Sequence, residues 1–495
     1  MIAELERLDG LAAELTSRAR RAGVLLIWRA QCRSVRRLVL REGKPELTSL
    51  GFASGHGAQL LTPEGFSALA SRDDFREQPA LELLDNLLEL GKSGGALGLA
   101  RNALPALEPL TARLVPPEAA EFDRLELRQV ARRLAELEAE IGGRVPGPSL
   151  QLGFRAELDA WRIFRSDGTD VLFAMPRCTL SVRATSAGPG ARHGVSAGVS
   201  RPEPGLLWEE GAVRLFLRRA EQCALLARQL PDAPPHPPGS FPLVIDYALA
   251  KGLAHEAFGH AAEADGYRSS VLARDGRLRV GEQVGAEHVS VIDEPVAGDH
   301  AWQPFSANGL PRRRVTIVDH GRLREGLSDP FSAEPGGVPL AGSERAESFA
   351  HAPQPRMTNI RIEVDAPLAA PREFEEYDPA AVRELLETSG VLHRHPRVAY
   401  LSGYSGGQVN SASGDFAFNC KAIYALGRDG IELFQPAIFS GSMFGALRSV
   451  REAFGPLRLD AIGTCGKWGQ SVPSSGGSHY FLVLDPDPSV RLGGT

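Results

Sequence analysis

The chain has 495 residues, 43% apolar and 23% charged, with 55 basic against 61 acidic side chains and a net charge of −6. That is enough polypeptide for roughly two to four domains of ordinary globular composition. No long basic tract appears, which argues against a protein held to nucleic acid by phosphate contacts. No apolar run approaches the ~18 residues of a membrane-spanning helix.

The charged, helical pattern of residues 2–22 predicts an amphipathic helix without a signal-type apolar centre. Strands alternate with turns over about 24–62, among them the basic stretch RAQCRSVRRLVLR, read as a solvated strand face. Helical patterns follow at 63–71 and 79–91. The segment KSGGALGLARNALPALEPL reads as loop or linker and divides an N-terminal α/β region, 1–112, from a middle region, 113–232. Between Pro117 and Ile141 the apolar residues Phe122, Leu125, Val130, Leu134, Leu137 and Ile141 recur near the helical period, predicting one long helix. From Leu150 to about Ser200 the period shortens to two, with a Ser-Asp-Gly turn between two strands. A further helix is expected over 207–229. The run PDAPPHPPGSFP has six prolines in twelve residues and marks a boundary near 231–242.

A C-terminal domain, 240–488, begins with a short apolar strand and a helix reading HEAFGHAAEAD. Strands are expected at HVSVIDEP and RRVTIVDHGRL, and a helix near 379–389. DFAFNCKAIYALGRDGIELF reads as a hairpin, SGSMFGALRSVREAF as a helix, and the end as strand, glycine-rich loop and strand. Long helices with period-two strands predict an α+β fold with mostly antiparallel sheets.

His255 and His260 are five residues apart, one more than in the zinc-peptidase pattern H-E-x-x-H. At about 100° per residue, a spacing of five separates two side chains by about 140° on a regular helix. One site can use both only if the helix is distorted. A π turn restores a shared face, and Gly259 supplies backbone freedom for it. A catalytic zinc takes three protein ligands and leaves one position open. For the third, spacing leaves two choices: Glu263, three residues beyond His260, and Cys465, flanked by Gly463 and Gly466. The other cysteines, Cys32, Cys178, Cys223 and Cys420, read as core residues. Five cysteines without a CxxC pair suit a reducing compartment, so a cytoplasmic location is expected.

Four blocks then occur in order: HEAFGHAAEAD, SFAHAPQPRMTN (348–359), GGQVNSASGDFAFNCKAIY and TCGKWGQSVP. Together they resemble the TldD/PmbA family of metallopeptidases over roughly 250–475. FRSDGTDVLFAMPRCTLSV resembles the family's middle region more weakly. The resemblance implies a two-part architecture of long helices and curved sheets with a C-terminal metallo-domain. It implies His255, His260 and Cys465 as metal ligands, Glu256 as general base, and Glu263 as a residue that orients a ligand histidine. Because these residues are present, the chain is similar to the catalytic TldD type rather than the PmbA type, which lacks them. A region reading WQPFSANGLPRRRVTIVDHGRLREG, the C-terminal SSGGSHYFLVL and the first hundred residues depart from the family pattern, which bears on substrate and partner choice.

The activity so implied is zinc-dependent hydrolysis of short peptides or unfolded chains in an enclosed cavity. One zinc per chain is expected, with another divalent metal as the variant reading. A dimer is expected, either of one chain or with a PmbA-type subunit, and neither nucleic acid nor membrane as partner. Lys467 and Gln470 in the cysteine loop, and Arg356 and Asn359 in PRMTN, either contact substrate or brace the site. Gly406 and Gly407, with the FAF strand, could offer a sheet edge to an extended peptide. The other readings are a non-catalytic metal-binding or scaffold subunit and a leader-peptide processing factor in natural-product maturation.

Overall fold

A computed structural model of the chain describes residues 1–96, 107–188 and 191–493. It has a mixed α+β fold built on two large sheets. In the first, strands β1 (Leu25–Arg41), β2 (Lys44–Leu61), β3 (Ser67–Arg72), β4 (Thr111–Leu114), β5 (Ser149–Arg165), β6 (Asp170–Gly188) and β7 (Ala191–Arg201) form seven strands in the order β3-β2-β1-β5-β6-β4, with β7 also on β6. Helices α1 (Ile2–Glu6), α2 (Asp9–Arg21), α3 (Glu77–Ala96), α4 (Leu127–Arg144) and α5 (Glu210–Gln229) belong to the same half. Leu11, Leu15, Leu84, Leu134, Ile141 and Phe216 from these helices join strand residues such as Trp28, Leu152 and Phe154 in one core. Burial of such side chains contributes about 1.5–3 kcal/mol each.

The expected division at 112–113 is not a structural break. β4 runs through it, and β1 pairs along its length with β5, so one sheet joins the two regions. The proposed linker lies partly in α3 and partly in 97–106, outside the described residues. The proline-rich run at 231–242 begins within the turn Leu230–Asp232 and ends at β8 (Leu243–Asp246), the first strand of the second sheet.

Several local expectations are corrected. Residues 67–72 form an edge strand on β2, because the sheet pairing from His56 to Leu61 outweighs local helical preference. The long helix from Pro117 is two pieces, a 3-10 helix Pro117–Arg124 and then α4. Arg36 takes the carbonyls of Phe122 and Leu125 at the break, where Leu125 and Glu126 are extended. The N-terminal helix likewise breaks before Asp9. α5 starts at Glu210, capped by the Glu209 carboxylate on two backbone N–H groups. The helix after Ser442 ends at Ser449, and Val450–Arg458 is a strand. The basic stretch is not a solvated face throughout. Arg29 is fully buried, donating to the Ala307 carbonyl and to Gln59 and Asn308, and burial lowers its pKa to about 9.

The second sheet has thirteen strands with β8 near its centre. β8 lies between Arg397–Asn410, which runs parallel to it, and Gln470–Leu484, which runs antiparallel. Asp246, the last residue of β8, turns the chain into helix α6 (Tyr247–Gly252) by accepting the N–H groups of Ala248 and Leu249. Its second oxygen accepts Gly403 N–H at 2.6 Å, which ties the helix start to the neighbouring strand. Gln470–Leu484 also forms a hairpin with Gly463–Lys467 through a turn at Trp468 and Gly469, both with positive φ. Cys465 therefore sits in a strand, opposite Val472, rather than in a loop.

Glu157 on β5 is a buried carboxylate held by Arg177 at 2.9 Å, Arg33 at 3.1 Å and Arg155. Burial opposes its ionisation, but the three guanidiniums outweigh burial and bring its pKa down to about 2. A carboxylate whose pKa is lowered on folding contributes stability that is whole above its ordinary value of about 4.3 and is lost as pH falls toward the folded value. Glu157→Gln should therefore lower Tm at neutral pH, and the gap from wild type should close between about pH 4.5 and pH 2. Thermal melts across that range check this; a gap that stays constant would contradict it.

Candidate metal centre

After α6 the chain does not continue as an α-helix. Leu253–Gly259 is wound as a π-helix, and the N–H of His260 bonds to the carbonyl of His255, five residues back. This is the distortion that the five-residue spacing demands. The imidazoles of His255 and His260 then face one another with ring centroids 5.1 Å apart and planes at 89°. The role expected of Gly259 is corrected. Its backbone is helical, with φ −59°, so left-handed freedom is not used. A Cβ there would meet Met357 Sδ at 2.7 Å, so the glycine lets Met357 of the PRMTN segment pack against the π turn. Gly252 serves the same end on another side, where a Cβ would lie 2.6 Å from the Tyr404 ring.

Cys465 meets this turn from its hairpin. Its Sγ lies 3.5 Å from His260 Nε2, and one ligand atom from each of His255, His260 and Cys465 falls within 4.8 Å of the others. A tetrahedral zinc with ordinary Zn–S and Zn–N bonds separates a sulfur and a nitrogen donor by about 3.6 Å. Two imidazoles and a thiolate also match its donor preference. His255 is buried with its Nδ1 unpartnered, as a residue whose ring is committed to something other than a hydrogen bond. The residues present thus fit the metal that the spacing led us to expect.

Glu263 is not among the three. Its Oε2 lies 3.2 Å from His260 Nδ1, the ring nitrogen turned away from Cys465. This carboxylate–imidazole contact fixes the ring so that Nε2 faces the sulfur. Lys467 then holds Glu263 at 2.9 Å and Asp265 at 2.8 Å. Arg356 is fully buried and donates to the carbonyl of Cys465. Arg345, equally buried, donates to the carbonyls of Met357 at 2.7 Å and Pro473 at 2.6 Å. Asn359 is spent on Leu459 O and Ser475, and Gln470 on Ala352 O and Glu347 N–H. The four residues left between substrate contact and bracing, Arg356, Asn359, Lys467 and Gln470, are thus held by protein partners, as is Glu263. The FAF strand has no free edge, since Phe416–Phe418 pair with Gly407–Val409 on one side and Phe439–Gly441 on the other.

The electrostatics follow from this packing. Burial, with the charge of Lys251, holds His255 well below its ordinary pKa. Burial acts against protonation of His260 too, but Glu263 and Cys465 outweigh it and hold its pKa well above the usual range. For Cys465, burial favours the thiol, yet His260 and Arg356 outweigh it and lower the pKa. The other four cysteines are buried thiols with raised pKa, Cys32 to about 12. Cys465 alone is poised as a thiolate.

Two residues at this site had no place in the sequence reading. Glu256 Oε1 accepts the Tyr404 hydroxyl at 3.1 Å, a contact between residues 148 positions apart with no local signal. Lys251 lies four residues before His255, a same-face spacing that was legible in the sequence. Its buried ammonium donates to Ser474 Oγ at 3.1 Å.

Glu263→Ala should weaken metal binding by about 10- to 100-fold by freeing the His260 ring, while leaving the three donors in place. Competition with a chromophoric chelator measures this; unchanged affinity would refute the orienting role. Gly259→Ala should lower stability by about 1–3 kcal/mol, the usual cost of overpacking, as read from thermal melts.

Residues 238–474 match the profile of the PmbA/TldA metallopeptidase C-terminal domain. A Haemophilus influenzae protein named a metalloprotease TldD homolog is 29% identical over 342 residues, 67% of this chain and 65% of that relative's length. A Saccharolobus solfataricus protein named a zinc metalloprotease TldD homolog is 26% identical over 260 residues, 52% of each. The matched segment is thus somewhat under two thirds of the first relative. The crystal structure of TldE from Thermococcus kodakarensis superposes with a TM-score of 0.75 over 98% of this chain and 100% of that one, at 12% identity, which establishes the shared fold. On the domain profile, the relatives and the fold together, residues 238–474 carry a domain of the PmbA/TldA metallopeptidase C-terminal type, and the chain is similar in sequence to TldD homologs and in fold to TldE.

Proposed function

We propose that this chain is a zinc peptidase that hydrolyses short peptides and unfolded chains, with His255, His260 and Cys465 holding one metal and Glu256 acting as general base. The observation that carries the reading is the π turn, which brings two imidazoles to one thiolate and leaves Glu256 beside them. The Saccharolobus relative, named a zinc metalloprotease, favours zinc over other divalent metals.

Bound at this donor set, zinc supplies Lewis acidity, acidifying water and polarising a carbonyl. The remaining chemistry belongs to side chains of this chain. Tyr404 occupies Glu256 Oε1, so Oε2 is the oxygen free to take a proton. Oε2 faces the donor set, 3.9 Å from His260 Nε2. The same carboxyl then passes the proton to the departing amine. Glu263 and Lys467 keep His260 turned toward the sulfur throughout.

We further propose that the chain works as a dimer, with itself or with a PmbA-type subunit, enclosing the site so that only short or unfolded chains reach it. In support, the β1–β2 hairpin ends with Lys44–Phe52 exposed, including Leu50 at 70% and Phe52 at 60%. An apolar projection of that kind needs a partner to cover it. A cytoplasmic location is proposed from the free thiols of all five cysteines. No helix among the described residues is long and apolar enough to cross a membrane.

Glu256→Gln should keep its zinc and lose hydrolysis by about 10²- to 10⁴-fold. Cys465→Ser should lose the metal. Metal analysis paired with mass spectrometry of digested peptide pools reads both. Full activity in Glu256→Gln would refute the general base, and full metal content in Cys465→Ser would return the third position to Glu263.

A further inference from the structure

Between α5 with β7 on one side and the strands Arg397–Asn410 and Asp415–Gly427 on the other lies a cleft of about 1250 Å³. Its lining includes Tyr404, whose hydroxyl meets Glu256, and Lys251, so it borders the metal centre without containing the three donors. Lys251 is 4% exposed. Its ammonium has one hydrogen bond, to the neutral hydroxyl of Ser474, and lies 5.8 Å from the Tyr404 ring centroid. It has no carboxylate partner among the described residues. Glu256 and Cys465 act on it only from beyond contact. A buried cation with no anion in contact is costly, and a chain keeps one where something else supplies the charge.

The acids of the cleft do not supply it. Asp246 is spent on the N–H groups of Ala248, Leu249 and Gly403. Glu375 and Asp460 neutralise Arg219 at 3.0 and 2.8 Å, and both also meet Arg458. Asp378 caps a helix through Ala381 N–H. Of the cleft's cations, Arg219 is therefore compensated, while Lys251 at the inner end and Arg183 and Lys421 on the walls have no carboxylate partner among the described residues. The cleft offers a ligand net positive charge, with its most buried cation nearest Glu256.

We propose that Lys251 binds a carboxylate of the substrate, so that the cleft selects a peptide carrying a free C-terminus or an acidic side chain close to the bond being cut. The identity of the ligand as a peptide rests on the peptidase reading, whereas the anion site rests on Lys251 and the cleft. A carboxylate there would pair with the ammonium in a water-poor setting, where a charge-assisted hydrogen bond is at its strongest.

The test is binding, so that it stands whether or not the chain cleaves peptides. Fluorescein-labelled Ala-Ala-Phe-Ala-Ala is titrated into the Glu256→Gln protein and followed by anisotropy, as the free acid, as the C-terminal amide, and as the amide with Glu at its fourth place. At least one carboxylate-bearing peptide should bind about tenfold or more tightly than the neutral amide. Which of the two does so names the source of the carboxylate. Adding Lys251→Met should erase the preference, and Lys251→Arg should keep it. The proposal is overturned if the neutral amide binds as tightly as both others, or if the preference survives Lys251→Met. It is also overturned if Lys251→Met weakens all three peptides equally, which would mark Lys251 as a counter-charge to Cys465. Hydrolysis by the wild-type protein is followed separately, so loss of the peptidase reading and loss of the anion site give different results.

Discussion

Two imidazoles five residues apart can serve one site only where a turn closes its hydrogen bonds on the fifth residue. Everything near the metal centre answers to that constraint. A π turn gives up regular helical packing, and here it is held from three directions. Asp246 caps the helix start and pins it to the neighbouring strand through Gly403. Met357 fills the space opened by Gly259, and Tyr404 the space opened by Gly252. β8, which feeds the turn, is paired with Gln470–Leu484, the strand whose hairpin carries Cys465. Both halves of the donor set therefore hang from adjacent strands of one sheet, and a rigid scaffold of that kind preserves the geometry of three ligands far better than loops would.

The charges around the site follow a second rule. Arg345 and Arg356 are buried with carbonyl oxygens rather than carboxylates as partners, and Lys251 has only a hydroxyl. Their positive field falls on the donor set and favours the thiolate form of Cys465. Glu263, by contrast, has its charge divided between His260 and Lys467, so it orients a ring without competing for the metal. Glu256 keeps one oxygen unpaired with Tyr404 and next to the donors. Four carboxylates, Glu256, Glu263, Asp265 and Asp246, thus take four separate tasks according to their neighbours.

Much of this was legible in the residues. The H-E-x-x-x-H spacing demanded a helix distortion, and helical geometry named its kind. The choice between Glu263 and Cys465 was not legible in spacing and came only from the family resemblance, because it depends on which side of His260 each approaches, and that is decided by a hairpin two hundred residues away. Tyr404 was invisible for the same reason. Gly259 was correctly singled out for the wrong cause, since a sequence shows that a side chain is missing and not what stands in its place. In the fold, long periodic helices and strands were readable, while the edge strand at 67–72 was set by tertiary pairing and the break at Leu125 is met by the distant Arg36. The division at 112–113 failed because strand pairing between β1 and β5 leaves no trace in local composition.

The central claim is that the π turn assembles a metal site of two nitrogens and one sulfur. X-ray absorption at the zinc edge of the zinc-loaded wild-type protein tests it most directly. The account predicts one sulfur neighbour at about 2.3 Å and two imidazole nitrogens at about 2.0 Å, with one light-atom position remaining. A first shell of nitrogen and oxygen alone, without sulfur, would contradict it.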